Sequence, residues 1–377
     1  LTETIIEGEI RSDKDGDFTK DDPSQQKEQA TKSVSYKNYA KDRGTKPKSG
    51  SIPSAQISPV SVITPSKEEI LACRFDYESQ LIALGLTNGF TSIHGVTTGK
   101  LVSYLDCSTT AGVPVTAIRW RPNLPGITSK SILVTGSADG TICHWHVNSG
   151  KLLHRTVEEG NQVLALDYAP DGSVFASAGK DYKVRIYDET TKVVNMTLDR
   201  GLWQNPGHSN RIFSVKFVED DPNLLISGGW DNNMHIWDLR EGKSIACMYG
   251  PNVSGDSIDC RDGVILTGSC RTKDQLELWD FGTRKVMRTI DWEYGLKFDR
   301  LNVYAAQFSK KSTQFVLACG SVVNEARIFD QKGDYMDFAK VTGFSKGLYS
   351  VDFSPNQEMF AVAGGDGEAH ICKLTKQ

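Results

Sequence analysis

The sequence contains eight cysteines but no Cys-x-x-Cys pair. This absence argues against a zinc ribbon and a dithiol redox site, and we expect reduced, mostly buried thiols in an intracellular protein. No apolar run approaches the roughly 20 residues of a membrane-spanning helix, and residues 1–20 lack the apolar region of a signal peptide. The formal net charge of −4 argues against binding to nucleic acid through its phosphates. We therefore predict neither membrane insertion nor direct contact with nucleic acid.

Residues 1–56 lack tryptophan and contain only three aromatic residues, whereas all seven tryptophans lie further along the chain. Charge is also segregated here: residues 1–30 hold nine acids and four bases, and residues 31–50 hold six bases and one acid. Such a composition cannot bury enough apolar surface to offset the entropy lost on ordering. We therefore expect an N-terminal arm over residues 1–56, disordered or extended on a partner, followed by a folded domain over residues 57–377. The chain begins at Leu1 rather than Met, which is compatible with a preceding segment.

One stretch of the arm, "DKDGDFTKDDPS" from Asp13, places carboxylates at four positions of a possible calcium-binding loop. The sixth position of such a loop requires Gly for its turn, and the twelfth requires a bidentate Glu. Here these positions are Phe18 and Ser24. The stretch is therefore interpreted as a solvated acidic run, and no metal site is predicted.

From about residue 57 the chain alternates short β-rich runs with turn signals, and it repeats. In "ISGGWDNNMHIWD" a small residue, Ser227, is followed by a turn acid, Asp231, and six residues later by an aromatic residue, Trp237. "VTGSADGTICHWH" and "ASAGKDYKVRIYD" keep the same spacing, and four weaker copies bring the total to seven. Separations of 52, 42, 50, 40, 51 and 44 residues between the small anchor residues are close to the period of a four-stranded repeat. The anchors are Ala83, Thr135, Ser177, Ser227, Thr267, Ala318 and Val362.

The strands of each copy leave neither face for solvent. In "NMHIWDL" Met234 and Ile236 point to one face, and His235 and Trp237 point to the other. A small sheet that buries both faces must stack between neighbours, and a closed ring leaves no unstacked sheet. The last copy is one strand short, and residues 58–66, "SPVSVITPS", are a candidate for completing it. The predicted fold is all-β: a seven-bladed β-propeller of four-stranded antiparallel blades, closed by an N-terminal strand.

Over residues 57–377 the chain resembles the WD-repeat β-propeller family. The resemblance rests on "GHSNRIFSV" and on aromatic-Asp pairs at Tyr187-Asp188, Trp237-Asp238, Trp279-Asp280 and Phe329-Asp330. In that family a His, a Ser or Thr, an Asp and a Trp form a hydrogen-bonded chain across the blade. The resemblance implies this structural tetrad in the fourth copy, at His208, Ser227, Asp231 and Trp237. The other copies depart from the pattern, so we expect them to depend more on packing.

Two arrangements resemble catalytic or metal chemistry. His144 and His146 lie two apart on one strand face, which could bring both rings to one metal ion, but the sequence supplies no third ligand. His208, Ser227 and Asp231 resemble a catalytic triad, but the serine lacks a nucleophile elbow. We therefore interpret both groups as structural, and we predict no catalytic residue, no metal and no cofactor.

Recognition by surface loops is the remaining interpretation. Loops on a rigid scaffold commonly carry binding side chains, and aromatic and Arg residues dominate interface energetics. We expect the turns between second and third strands, and the connections into each blade, to share one face. The candidate partner-binding residues on it are Lys180, Tyr182, Trp203, Arg211, Trp230, Arg271, Trp292 and Tyr294.

The function predicted is that of a non-enzymatic protein-interaction scaffold within a larger assembly, with the arm as a second contact. A cytoskeletal or ciliary component in the cytoplasm is favoured, and a nuclear location is compatible. One alternative is a substrate-recognition adaptor of a ubiquitin ligase or of a chromatin or trafficking complex. An alternative of another class is an enzyme or small-ligand-binding propeller that uses the central channel.

Overall fold

In the computed structural model the described residues are 33–38, 55–123, 131–201, 206–292 and 301–376. They form β-strands, turns and two short 3₁₀ helices, Val147–Ser149 and Gln331–Gly333. No α-helix occurs in these stretches. Accordingly, none of the helices described there has the length and apolar character needed to cross a membrane.

The strands form seven antiparallel sheets, each called a blade. Two strands precede the repeats, β1 (Ser35–Asn38) and β2 (Ala55–Ile63). Blade 1 contains β3 (Ile70–Phe75), β4 (Leu81–Leu86), β5 (Phe90–Gly95) and β6 (Leu101–Asp106). Blade 2 contains β7 (Val115–Trp120), β8 (Ile132–Ser137), β9 (Thr141–His146) and β10 (Lys151–Val157). Blade 3 contains β11 (Val163–Tyr168), β12 (Val174–Gly179), β13 (Val184–Asp188) and β14 (Val194–Leu198).

The remaining blades repeat this order. Blade 4 contains β15 (Ile212–Val218), β16 (Asp221–Gly229), β17 (Asn233–Asp238) and β18 (Lys243–Tyr249). Blade 5 contains β19 (Ile258–Arg261), β20 (Val264–Gly268), β21 (Leu276–Asp280) and β22 (Val286–Thr289). Blade 6 contains β23 (Asn302–Phe308), β24 (Phe315–Ser321), β25 (Ala326–Asp330) and β26 (Met336–Thr342), with β1 added at its edge. Blade 7 contains β27 (Leu348–Phe353), β28 (Met359–Gly364), β29 (Ala369–Lys376) and β2.

Stacking between neighbours explains the burial of each strand. All six residues of β8 and of β28, both second strands, are buried, whereas β10 and β18 on the outer rim alternate with exposed positions. The first strands contact one another around the ring, from β3 through β27 and back to β3. Both faces of the inner strands are therefore covered by adjacent blades, as the repeat predicted.

The N-terminal strand closes the ring. β2 pairs with β29 in antiparallel register, with Ile57 opposite Leu374 and Ile63 opposite Ala369. Ile57 and Ile63 are buried in the interfaces on either side of blade 7. This confirms the predicted seven-bladed propeller closed by its own N-terminal strand.

A second N-terminal segment also lies on the propeller. β1 pairs with β26 at the outer edge of blade 6, and the Tyr36 hydroxyl lies 2.9 Å from His370 Nδ1. Val34 and Tyr36 pack together with Phe338 against the apolar cluster between blades 6 and 7. These residues belong to the predicted N-terminal arm. The alternation of Val34 and Tyr36 gives this segment one apolar face to bury. The rest of that arm, including the acidic run, lies outside the described residues.

Closure by β2 predicts a large difference between two truncated chains. A chain of residues 65–377 lacks β2 and the buried side chains of Ile57 and Ile63, each worth about 2 to 5 kcal/mol when a core residue is removed. Its free energy of unfolding should fall by at least about 4 kcal/mol, measured by urea denaturation. A chain of residues 55–377 retains β2 and should lose much less. Equal denaturation midpoints for the two chains would contradict closure by β2.

Candidate functional site

Four polar side chains of blade 4 form one continuous hydrogen-bonded chain. His208 Nδ1 lies 2.9 Å from Asp231 Oδ2, and His208 Nε2 lies 2.7 Å from Ser227 Oγ. The Trp237 indole N–H donates to the same Ser227 Oγ at 2.7 Å. His208, Ser227 and Trp237 are buried. These hydrogen bonds therefore link the connection before β15 to the second and third strands of the blade.

Asp231 is ionised at this turn. Burial raises the pKa of its carboxyl, but the hydrogen bond and charge of His208 outweigh burial and hold the pKa below its ordinary value. The backbone N–H groups of Ser209 and Asn233 also donate to the carboxylate, at 3.0 and 3.2 Å. The carboxylate therefore fixes both the entering connection and the turn.

Blade 3 builds a comparable chain from different residues. Glu158 occupies the place of the histidine, and its carboxylate accepts from the hydroxyls of Ser177 and Tyr187. Arg185 and Asn161 also donate to Glu158, at 3.1 and 2.6 Å. The expectation that the copies departing from the pattern depend more on packing is therefore wrong for blade 3.

The Ser227, His208 and Asp231 group of blade 4 resembles a catalytic triad, but its serine is not accessible to a substrate. Ser227 is completely buried, and its hydroxyl oxygen already contacts both Trp237 and His208. A serine nucleophile must reach a substrate carbonyl. The geometry therefore favours a structural role for this group.

A ring of polar residues, not recognised from the sequence, surrounds one end of the central channel. Each first strand contributes one residue, and together they line a cavity of about 370 Å³. This channel ring consists of Arg74, Arg119, Asp167, Lys216, Asp259, Gln307 and Asp352. In six of the seven first strands the ring residue is followed at once by an aromatic residue. Aligning the first strands of the repeats would have shown this pattern.

The acceptors of the channel ring connect adjacent blades. In four places a ring side chain accepts a hydrogen bond from a backbone N–H of the following blade, at 2.8–2.9 Å. The bonds run from Phe75 to Asp352, from Phe217 to Asp167, from Phe308 to Asp259 and from Phe353 to Gln307. The ring therefore joins neighbouring blades in addition to their apolar contacts.

The acids of the channel are paired with cations. Arg119 contacts Asp167 at 3.1 Å and Asp256 at 2.8 Å, and Arg74 also contacts Asp256. Further pairs are Lys216 with Asp259 at 3.4 Å, Lys310 with Asp352 at 2.7 Å and Arg261 with Glu219 at 2.6 Å. Because these charges are neutralised within the channel, the arrangement favours a structural role over acid–base chemistry.

The predicted binding residues of blades 3, 4 and 5 come to one end of the ring. There the turn between the second and third strands meets the connection into the first strand, through bonds such as Lys180 N–H to Gln162 O and Trp230 N–H to Arg211 O. We call this surface the turn face. It is defined by Lys180, Tyr182, Arg211, Trp230 and Arg271.

Trp230 is the most firmly held aromatic residue of the turn face. Its ring is half-buried and lies 4.8 Å from the Phe213 ring, while the Arg211 guanidinium is 5.3 Å from its centroid. The indole N–H donates to Ser254 Oγ at 2.9 Å. One part of the indole is thus fixed by contacts and the other part is open to solvent.

The other members of the turn face differ in exposure. Lys180 and Tyr182 are exposed, whereas Arg271 is half-buried and paired with Glu277 at 2.5 Å. Beside Trp230 lies an open depression of about 510 Å³ between blades 4 and 5, and Arg271 is part of its lining.

Trp292 requires a correction, because it does not lie on an open surface. Its side chain is only 4% exposed and packs in the cluster between blades 5 and 6. The indole N–H donates to Glu325 at 3.3 Å, and the Arg327 guanidinium lies 5.4 Å from the ring. These internal partners account for its burial. Trp203 and Tyr294 lie outside the described residues.

The two histidines of β9 have separate partners. His144 is buried and its Nε2 lies 3.4 Å from the Glu189 carboxylate, while His146 Nδ1 lies 2.7 Å from Ser149 Oγ. The rings are therefore held apart by different groups rather than directed at a shared ion.

Substitution of His208 tests the structural role of the blade 4 chain. His208→Ala removes one hydrogen-bond partner each from Ser227 and Asp231, which keep only Trp237 and two backbone N–H groups. This loss should lower the free energy of unfolding by about 1 to 3 kcal/mol. Partner binding by the folded variant should persist. His146→Ala, near the surface, is the control and should change stability little. Loss of binding with unchanged melting would instead give His208 a functional role.

Asp259 should make stability depend on pH. Burial raises the pKa of its carboxyl, but the charges of Lys216, Lys310 and Arg261 outweigh burial and lower the pKa below its ordinary value. Its stabilisation is therefore present above the unfolded pKa of about 3.9 and is lost as pH falls through the folded pKa. In urea denaturation, Asp259→Asn should be less stable than the wild type at pH 7, and the difference should shrink below about pH 4. A pH-independent difference would contradict this assignment.

The comparisons with known proteins agree with this geometry. The family model described as "WD domain, G-beta repeat" matches residues 99–146, 150–188, 202–238 and 338–372. These matched segments fall in several blades of the ring.

Several curated proteins are similar over part of the chain. "U3 small nucleolar RNA-associated protein 21 homolog" of Schizosaccharomyces pombe is 30% identical over 45% of this chain and 17% of its own length. "Guanine nucleotide-binding protein subunit beta" of Zea mays is 25% identical over 58% of this chain and 56% of its own length. "Actin-interacting protein 1" of Drosophila melanogaster is 24% identical over 65% and 40%. The chain thus spans little more than half of each relative, or less. The chain thus carries WD repeats in its matched segments and folds as the seven-bladed β-propeller that the resemblance to the WD-repeat family implied.

Proposed function

We propose that the protein is a non-enzymatic scaffold that binds protein partners through the turn face, as a subunit of a larger assembly. WD-repeat propellers are in general interaction scaffolds, which supports this class of function. The single observation that carries the proposal is the state of Trp230. A half-buried indole held by Phe213, Arg211 and Ser254 is the kind of preorganised aromatic anchor that dominates protein interfaces.

The surroundings of Trp230 fit a protein better than a small molecule. The adjoining depression is open and polar, with Asn232, Asn252 and Arg271 in its lining, whereas small-ligand sites are mostly enclosed and apolar. Exposed Lys180 and Tyr182 on the neighbouring blade extend the surface. A partner with acidic and aromatic groups would be complementary to these side chains.

The channel is the site that an enzyme or a ligand-binding propeller would use. Its acids are paired with cations, and the ring residues bond to adjacent blades. A charged ligand there would have to compete with these pairs for the same side chains. We therefore favour the turn face.

We further propose a cytoplasmic assembly of cytoskeletal or ciliary type. The likeness to a protein named for interaction with actin is compatible with that choice. Likeness to a protein named for association with a small nucleolar RNA keeps the adaptor alternatives open. The N-terminal arm of residues 1–56 is proposed as the second contact, apart from the parts that pair within the propeller, β1 and the start of β2.

The turn face is tested by isolating the native complex with variants of the full chain. Trp230→Ala should weaken association by at least about 2 kcal/mol, or roughly 30-fold, measured as loss of stoichiometric co-purifying subunits. Tyr249→Ala is the matched control, because Tyr249 is a 76% exposed aromatic residue on the outer strand of the same blade. Its complex should remain intact.

A second variant separates binding from folding. Trp230→Ala removes contacts with Phe213 and Ser254, so its melting temperature is measured in parallel. Lys180→Glu changes an exposed side chain and should weaken the complex with unchanged melting. Intact complexes with both variants would contradict the proposal, and loss of the complex with Tyr249→Ala alone would place the interface on the outer rim.

A further inference from the structure

The third and fourth strands of blade 4 bring a histidine and a cysteine together. His235 on β17 lies opposite Cys247 on β18, and His235 Nε2 is 3.8 Å from Cys247 Sγ. The imidazole is buried, with 1% exposed, whereas Cys247 is exposed on the outer strand. One nitrogen and one sulfur therefore converge at a position that solvent can reach.

The hydrogen bonds of His235 determine which ring nitrogen faces the sulfur as an acceptor. Ser244 Oγ donates to the carbonyl oxygen of Ala246 at 3.0 Å, so at 2.9 Å it accepts the N–H of His235 Nδ1. Nε2 then carries the lone pair. Burial, together with the nearby His208, lowers the pKa of His235 to about 4, so the ring is neutral near pH 7. This tautomer and second contact are those that metal-binding histidines require.

A carboxylate lies close enough to complete the group. Within the described part of the chain, ligand atoms of His208, Asp231 and His235 all lie within 4.8 Å of one another. Cys247 is not a member of that group and joins it through its contact with His235 Nε2. Asp231 also retains His208 as its own partner at 2.9 Å, a carboxylate–histidine contact of the kind that supports metal sites.

Other blades use the position of His235 differently. The register places Arg185, Glu277 and Arg327 there in blades 3, 5 and 6. Each of them forms an ion pair with an oppositely charged side chain. Blade 4 instead offers a neutral imidazole beside a thiol, which is a metal-binding combination rather than a charge pair.

We propose that Asp231, His235 and Cys247 form a binding site for Zn²⁺ or a similar thiophilic divalent cation, with water as the fourth ligand. Zinc–nitrogen and zinc–sulfur bonds of about 2.0 and 2.3 Å at a tetrahedral angle place the two donor atoms about 3.6 Å apart. The observed 3.8 Å needs almost no movement. A tetrahedral zinc–oxygen bond places the carboxylate about 3.4 Å from the nitrogen, so the Asp231 side chain must move from its present position to join the site. Binding converts the thiol to a thiolate and releases one proton to solvent.

The test is a titration of the purified full-length chain with Zn²⁺ and, separately, with Co²⁺ in a competing chelator. We expect one equivalent bound, release of one proton, a thiolate-to-cobalt absorption band and a melting temperature raised by the metal. Cys247→Ser, an exposed substitution, should fold normally and lose both the band and the stoichiometric binding. Ser244→Ala, which removes the partner of Nδ1, should weaken affinity about 10- to 100-fold.

Cys270→Ser is the matched control, because Cys270 is a half-buried cysteine in the turn of the next blade; it should bind metal as the wild type does. The proposal is overturned if the wild type binds no stoichiometric metal. It is also overturned if Cys247→Ser binds equally well, or if Cys270→Ser rather than Cys247→Ser abolishes the cobalt band. The metal readouts do not involve a protein partner, so the outcome is independent of the scaffold proposal.

Discussion

The structure depends on one constraint: every blade must bury both of its faces against other blades. Strands such as β8 and β28, buried at every position, have no stable existence as an isolated sheet. A ring of seven satisfies the requirement because its first strands contact one another without an end. β2 supplies the outer strand that blade 7 would otherwise lack, and the channel ring adds directional bonds between blades that apolar contacts alone do not provide.

The same constraint explains why so many polar side chains are inside. When strand ends and turns are buried, their hydrogen-bond donors and acceptors are buried with them. Such groups must find hydrogen-bond partners within the protein. Blade 4 pairs them through histidine, serine and tryptophan, and blade 3 pairs them through Glu158. At the other end of the channel, opposite charges pair with one another. Residues that resemble catalytic groups are thus used to hold turns and blades together, and half-exposed residues such as Trp230 remain available to partners.

Repeat spacing predicted the ring, because the small anchor residues and the aromatic residues occupy the same registers in the second and third strands of blades 2 to 6. The channel ring was missed because its members share polarity and position but not charge, so no single residue type marks them. Trp292 was predicted to lie on the surface because the sequence around it resembles a connecting loop. Its partners, Glu325 and Arg327, belong to the next blade and could not be identified from the local sequence. β1 was missed because its partners, β26 and His370, lie at the opposite end of the sequence.

The pairing of β2 with β29 has a consequence for the order in which the protein is made. β2 is synthesised before the first blade, yet its partner strand follows the last turn of blade 7. The ring therefore remains open throughout translation of the blades, with the edge that β2 will cover among the last to appear. Long-range pairing of this kind is slow, and an unpaired edge invites association with other chains. Completion of the propeller thus waits until β29 has been made, and the interval before it is when a new chain is most exposed to misassembly.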